Sequence, residues 1–176
     1  MEDQNSNRPL YDYTSRLRLT LKAWPVIAGA TIGLCYLTQT VAKWFGIELP
    51  DQANIELVKR YAGWNRTFIL LCAQVIILMP AIEELIFRYL LFRLPRKLIP
   101  HPSSLIPTAA ISSLLFSAAH YLAQPWPDAA FLALFFFGLA QCWLYKKTGH
   151  LWCAILNHGL FNLTNLVLLF VIPEAA

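Results

Sequence analysis

The chain has 176 residues, 57% of them hydrophobic and only 14% charged, with a formal net charge of +4. Soluble domains carry about 25% charged residues, so this composition excludes an ordinary soluble fold and points to the bilayer as solvent. The positive residues sit in a few short clusters, which reads as membrane topology and excludes a nucleic-acid-binding surface.

In chain order, residues 1–23 form a basic tail with Arg8, Arg16, Arg18 and Lys22. The first apolar run, 24–45, is too long and too far in for a cleaved signal segment and reads as a retained anchor. Residues 51–63 place Ile55, Leu57, Val58 and Tyr61 among Glu56, Lys59 and Arg60, a pattern that suits a short interfacial helix and equally a loop. Further apolar runs follow at 67–92, 105–123, 128–145 and 151–172. A helix needs about 20 residues to cross a ~30 Å hydrocarbon core. The first, second and fifth runs meet that length, and the third and fourth are slightly short. The expectation is an all-α polytopic membrane bundle of about five transmembrane helices. It forms one domain over 24–172, with no internal repeat.

Lys and Arg give the orientation. The basic tail, the loop with Arg93, Arg96 and Lys97, and the end of the fourth run at Lys146-Lys147 fall on one side. The opposite side holds Lys59, Arg60 and Arg66 alone. This places the N-terminus in the cytoplasm and the C-terminus outside. Trp24, Trp44, Trp64, Trp126, Trp143 and Trp152 fall near expected helix ends, where an amphipathic ring sits among headgroups. Cys35, Cys72, Cys142 and Cys153 form no CxxC pair and read as small packing residues.

The second run carries Glu83, Glu84 and Arg88. A charged residue at the centre of a membrane helix costs about 2.5–3.5 kcal/mol on insertion scales, so ionisable groups at this depth are functional candidates. Glu84 and Arg88 are spaced i,i+4 and share a face, which makes them a clamp. Glu83, rotated by about 100° from Glu84, is left as the free carboxylate. Pro80 removes a helical hydrogen bond just before them.

The third run places Phe116 and His120 on one face, and the fifth does the same for His158 and Asn162. An imidazole and a carboxylate sharing a water can abstract a proton near neutral pH. A His/Asn pair offers two donors to a developing oxyanion. The small residues Ser117, Ala118, Ala119 and Gly159 let helices approach closely around such a site. Glu83 and His158 lie within about 12–15 Å of the cytoplasmic ends of their helices. His120 lies farther in if its helix begins near Ser103, and falls into line if that helix begins near Thr108.

Glu83-Glu84-x-x-x-Arg88, Phe116-x-x-x-His120 and His158-x-x-x-Asn162, in that order, resemble the three motifs of the CAAX-protease and bacteriocin-processing (CPBP, or Abi) family. The run Tyr145 to Trp152 resembles that family's approach to its last motif. The resemblance covers about 83–162 and implies a glutamate-dependent intramembrane protease with its core at about 67–166. It implies Glu83 as general base, with His120 helping to activate water. His158 and Asn162 would stabilise the oxyanion, with Glu84, Arg88 and Phe116 in support. It implies no cofactor; a zinc-dependent version would use Glu83, His120 and His158, but no HExxH helix is present. The implied partners are the lipid bilayer and a membrane-anchored protein or peptide substrate, in a prokaryotic inner membrane. The chain is short for the family, which favours a small processing enzyme over one acting on prenylated proteins. The rival readings are a non-catalytic scaffold or immunity protein, against which all six polar positions are retained, and a proton or ion pathway, against which no half is duplicated.

Overall fold

A computed structural model describes residues 12–49, 58–63, 65–122 and 129–171. The described residues contain five long helices and no strand: α1 (Tyr13–Trp44), α2 (Arg66–Leu98), α3 (Leu105–Leu122), α4 (Ala130–Thr148) and α5 (Leu151–Val171). Four of them, α1, α2, α3 with the preceding Pro102–Ser104 turn, and α5, are long and apolar enough to cross a membrane. The remaining expected segment, the fourth run, is α4, which carries Gln141, Lys146 and Lys147 and lies innermost in the bundle, packed on α1, α3 and α5. Large apolar side chains such as Val26, Leu70, Ile77, Ile106 and Val171 project outward on the other helices. A solvated protein rarely exposes so continuous an apolar surface, and lipid is the environment that covers it. The chain is an integral membrane protein.

Helix ends follow from local chemistry. Asp12 accepts a 2.7 Å hydrogen bond from the Ser15 N–H, so α1 begins at Tyr13, well ahead of the expected start at 24. Asn65 caps α2 in the same way through the Phe68 N–H at 2.9 Å. α4 ends where Gly149 turns left-handed (φ 70°) and returns its N–H to Tyr145 O, which starts the reversal into α5. Most of the segment expected as an interfacial helix, 51–57, lies outside the described residues, and 58–60 are helical.

α2 extends to Leu98, past the expected end at 92, and it is not uniformly α-helical. Two π-helical stretches, Gln74–Leu78 and Leu85–Arg93, flank an α-helical turn, Met79–Glu84. Such insertions are rare and concentrate at functional sites, because each widens the helix and frees carbonyls from the regular ladder.

Small and polar residues seat the helices. A Cβ on Gly138 would stand 2.8 Å from the Ser113 side chain, so α3 and α4 touch at closest approach there. Ser112 donates to Phe87 O at 2.5 Å and Ser117 donates to Phe131 O, tying α3 to α2 and α4. Trp24 donates to Thr164 at 3.1 Å, so its ring belongs to the α1–α5 interface rather than to the headgroup layer expected for it. Trp152 stacks on Tyr13 with centroids 5.1 Å apart, whereas Trp44 is exposed at the end of α1. Trp64 and Trp126 lie outside the described residues. None of the four cysteines forms a disulfide.

Candidate active site

α2 presents Glu83 and Glu84 on adjacent faces of the α-helical turn between its two π-helical stretches. Glu84 and Arg88 are both fully buried, with Arg88 Nε 3.0 Å from Glu84 Oε2. The other Glu84 oxygen, Oε1, lies 2.9 Å from His158 Nδ1 on α5. One buried carboxylate therefore bridges a guanidinium on its own helix and an imidazole on another. The guanidinium also lies over the Phe116 ring, 4.6 Å from its centroid, a cation–π contact strengthened by the absence of water.

Glu83 faces the other side of that imidazole. Its Oε2 lies 3.5 Å from His158 Nε2, and its Oε1 lies 3.9 Å from His120 Nε2. Both rings are anchored through Nδ1, on Glu84 Oε1 for His158 and on Phe116 O, 3.0 Å away, for His120. A carbonyl or a carboxylate can only accept, so each Nδ1 donates and each neutral ring turns the Nε2 lone pair toward Glu83. The distances to Glu83 exceed a direct hydrogen bond and leave room for a shared water or proton. Burial is graded across the cluster: Glu84 and Arg88 are sealed and His158 nearly so, while Glu83 and His120 keep side-chain exposures of 16% and 26%. The site opens at Glu83 and His120.

His120 and His158 both come within 4 Å of Glu83, at 3.9 and 3.5 Å, so the three reach the same depth. α3 begins at Leu105, neither at Ser103 nor at Thr108. The mismatch expected between His120 and Glu83 came in part from ending α2 too early. The π-helical stretch through Arg93 carries that helix on across residues whose charge reads as loop.

Asn162, one turn after His158, donates its Nδ2 to Val75 O at 2.9 Å. Phe116 is fully buried and touches Phe87, His120, Phe137 and His158, with centroids 4.5 to 5.9 Å apart. Two features escape sequence reading. Phe137 on α4 packs at 5.0 Å against His158 and at 4.6 Å against Phe161, and its only signal was an aromatic run inside α4. Asn157, next to His158, accepts from Gln141 Nε2 at 3.2 Å and donates to Thr20 O at 3.4 Å. These contacts join α1, α4 and α5 behind the site; the signal for Gln141 and Asn157 was a polar residue inside an apolar run, whereas Thr20 lay in the segment read as a tail. Among the described residues, no group of three or more His, Cys, Asp and Glu side chains is arranged to hold a metal ion.

A helical membrane bundle with a carboxylate faced by two anchored imidazoles, above a sealed carboxylate–guanidinium pair, has the arrangement of a functional site held within the membrane. Residues 65–164 match the family model described as type II CAAX prenyl endopeptidase Rce1-like, and the chain belongs to that family of proteases. The matched segment contains Glu83, Glu84, Arg88, Phe116, His120, His158 and Asn162. No curated protein and no solved structure matches the chain significantly.

Proposed function

We propose that the protein is an intramembrane endopeptidase that hydrolyses a peptide bond of a membrane-anchored substrate with a water activated by Glu83 and His120. The observation that carries this reading is the convergence of two Nδ1-anchored imidazoles on the partly exposed Glu83. A water between Glu83 Oε1 and His120 Nε2 would donate to both, which points its oxygen lone pair at an incoming carbonyl. As that oxygen attacks, one water proton passes to Glu83. The proton then passes from Glu83 to His158 Nε2, 3.5 Å away, which leaves Glu83 ionised again, and the resulting imidazolium is balanced by Glu84 at Nδ1. The imidazolium and the second N–H of the Asn162 amide then face the oxyanion. Collapse of the intermediate returns the proton to the leaving amine. Glu84, Arg88 and Phe116 hold these groups in place without touching substrate, and no metal takes part.

The family description names prenylated CAAX proteins as the substrates of its members. For this chain we favour a short peptide tail held at the membrane: a C-terminal membrane segment, a sorting signal, or a prenylated or bacteriocin-like peptide. We assign the N-terminal end of α1, with Arg16, Arg18 and Lys22, to the cytoplasmic side and the C-terminus to the outside of a prokaryotic inner membrane. The test is mass spectrometry of membrane-protein termini in cells carrying the chain or its Glu83→Gln variant. Termini that appear only with the intact chain support the reading, and identical sets of termini refute it. A scaffold would act equally well with Gln at position 83.

A further inference from the structure

We propose that Pro80 and Asn162 form a coupled tether that fixes the axial register of α2 against α5, and that Asn162 positions Glu83 and Glu84 for His158 through this contact. The starting point is the carbonyl of Val75. In the π-helical stretch Gln74–Leu78, the Met79 N–H bonds back to Gln74 O. The residue that would close the next π turn, on Val75 O, is Pro80, which has no N–H. Neither residue that could close an α or a π turn on Val75 O supplies a donor, and in an apolar medium a carbonyl without one is costly. Asn162 Nδ2 fills the place at 2.9 Å from another helix.

The next carbonyl carries the second half of the device. Ile76 would close its α turn on Pro80 as well, and its oxygen points at α5. A Cβ built on Gly159 would stand 2.5 Å from it. Only a glycine allows α5 this close to the backbone of α2, and the approach lets the short Asn162 side chain reach Val75 O. Pro80 thus withholds its N–H from the π turn on Val75 O and the α turn on Ile76 O, and of these carbonyls the first is held by the Asn162 amide and the second faces Gly159.

This contact and the Glu84–His158 bond join the same two helices at two heights, with Glu83 and His158 facing each other beside the second. Two attachments set both axial shift and rotation, whereas either alone leaves one free. This inference rests on the protease reading only for its consequence in catalysis; the tether itself does not depend on it.

The experiment uses the full chain in detergent, with spin labels carried by unnatural amino acids at positions 70 and 167, which are exposed on α2 and α5 beyond the tether. Distances are measured for the parent, Asn162→Ala, Pro80→Ala and the double variant, each also carrying Glu83→Gln so that hydrolysis plays no part. Asn162→Ala is expected to shift or broaden the distance distribution. In the Pro80→Ala background, residue 80 regains an N–H that can bond within α2, so the same substitution is expected to have less than half that effect. In chains with Glu83 intact, Pro80→Ala is expected to raise the kcat of Asn162→Ala by about tenfold with little change in KM, in line with the steep dependence of rate on placement. Equal distance shifts in both backgrounds overturn the tether. Restored distances with no gain in kcat overturn the positioning role. If the parent chain hydrolyses nothing while the distances behave as expected, the protease reading fails and the tether stands.

Discussion

Gly159→Ala adds one methyl group where the backbone of α2 leaves no room for it. The new Cβ would meet Ile76 O at 2.5 Å, whereas relaxed carbon–oxygen contacts lie near 3.3 Å or beyond, so the helices must part by about 0.8 Å. The obstacle is a backbone carbonyl, which cannot swing aside as a side chain can. The same displacement stretches two hydrogen bonds across this interface, Asn162–Val75 and His158–Glu84, each now 2.9 Å. Losing the neutral one costs about 1 kcal/mol and losing the charge-assisted one about 1.5–3 kcal/mol. Ala gains ~1 kcal/mol over Gly in helix propensity, which leaves a net destabilisation of about 1.5–3 kcal/mol. The rate loss should be larger, since a 1 Å misplacement can cost about 100-fold. The assay is thermal unfolding in detergent alongside hydrolysis of a membrane-anchored peptide. Gly29→Ala serves as control, because nothing lies within 4 Å of its added Cβ and its melting temperature should hold or rise. A Gly159→Ala protein that melts and cleaves like the parent would refute the close approach and the placement argument built on it.

Glu84→Ala and Arg88→Ala should each lower the yield of folded protein, since removing one partner of a buried ion pair costs about 3–5 kcal/mol; size-exclusion profiles in detergent report it, and a normal monodisperse yield from both would contradict the clamp. Glu83→Gln, by contrast, should abolish hydrolysis while melting within a few degrees of the parent, because Glu83 lies at the open side of the cluster. Hydrolysis should persist after exhaustive chelation, and restoration by added zinc alone would overturn the metal-free mechanism. The first turn of α1 should open in acid. The hydrogen bond from the Ser15 N–H holds the Asp12 carboxyl below its ordinary value of 3.8, so the cap is fully present above that pH and is lost as pH falls through the lower folded value. A loss of protection at the Ser15 amide in acid, relative to the intrinsic exchange rate at each pH, would show it, and Asp12→Asn should flatten the pH dependence.

The sequence by itself determined the class of fold and which charged and imidazole side chains had to meet. Apolar runs long enough to span a bilayer leave helix as the only structure that satisfies their backbone, so an all-α bundle follows from composition and length. Charged and imidazole side chains are too costly in lipid to stand unpartnered, so Glu83, Glu84, Arg88, His120 and His158 had to find one another. The i,i+4 spacing of Glu84 and Arg88 already fixed their pairing, because it lies within one helix. What only the tertiary structure decided were contacts between helices. That Glu84 also receives His158, that Phe137 packs against that ring, and that Asn162 spends an N–H on Val75 O depend on the rotation and axial shift of separate helices, which no local periodicity encodes. The π-helical stretches escaped for the same reason. They add a residue to a turn without altering the apolar pattern, and the carbonyls they free are satisfied by partners on other helices, Ser112 for Phe87 and Asn162 for Val75. Pro80 was legible as a lost hydrogen bond, but the group that replaces that bond is on another helix more than eighty residues away, and only the packing of α2 on α5 brings it there.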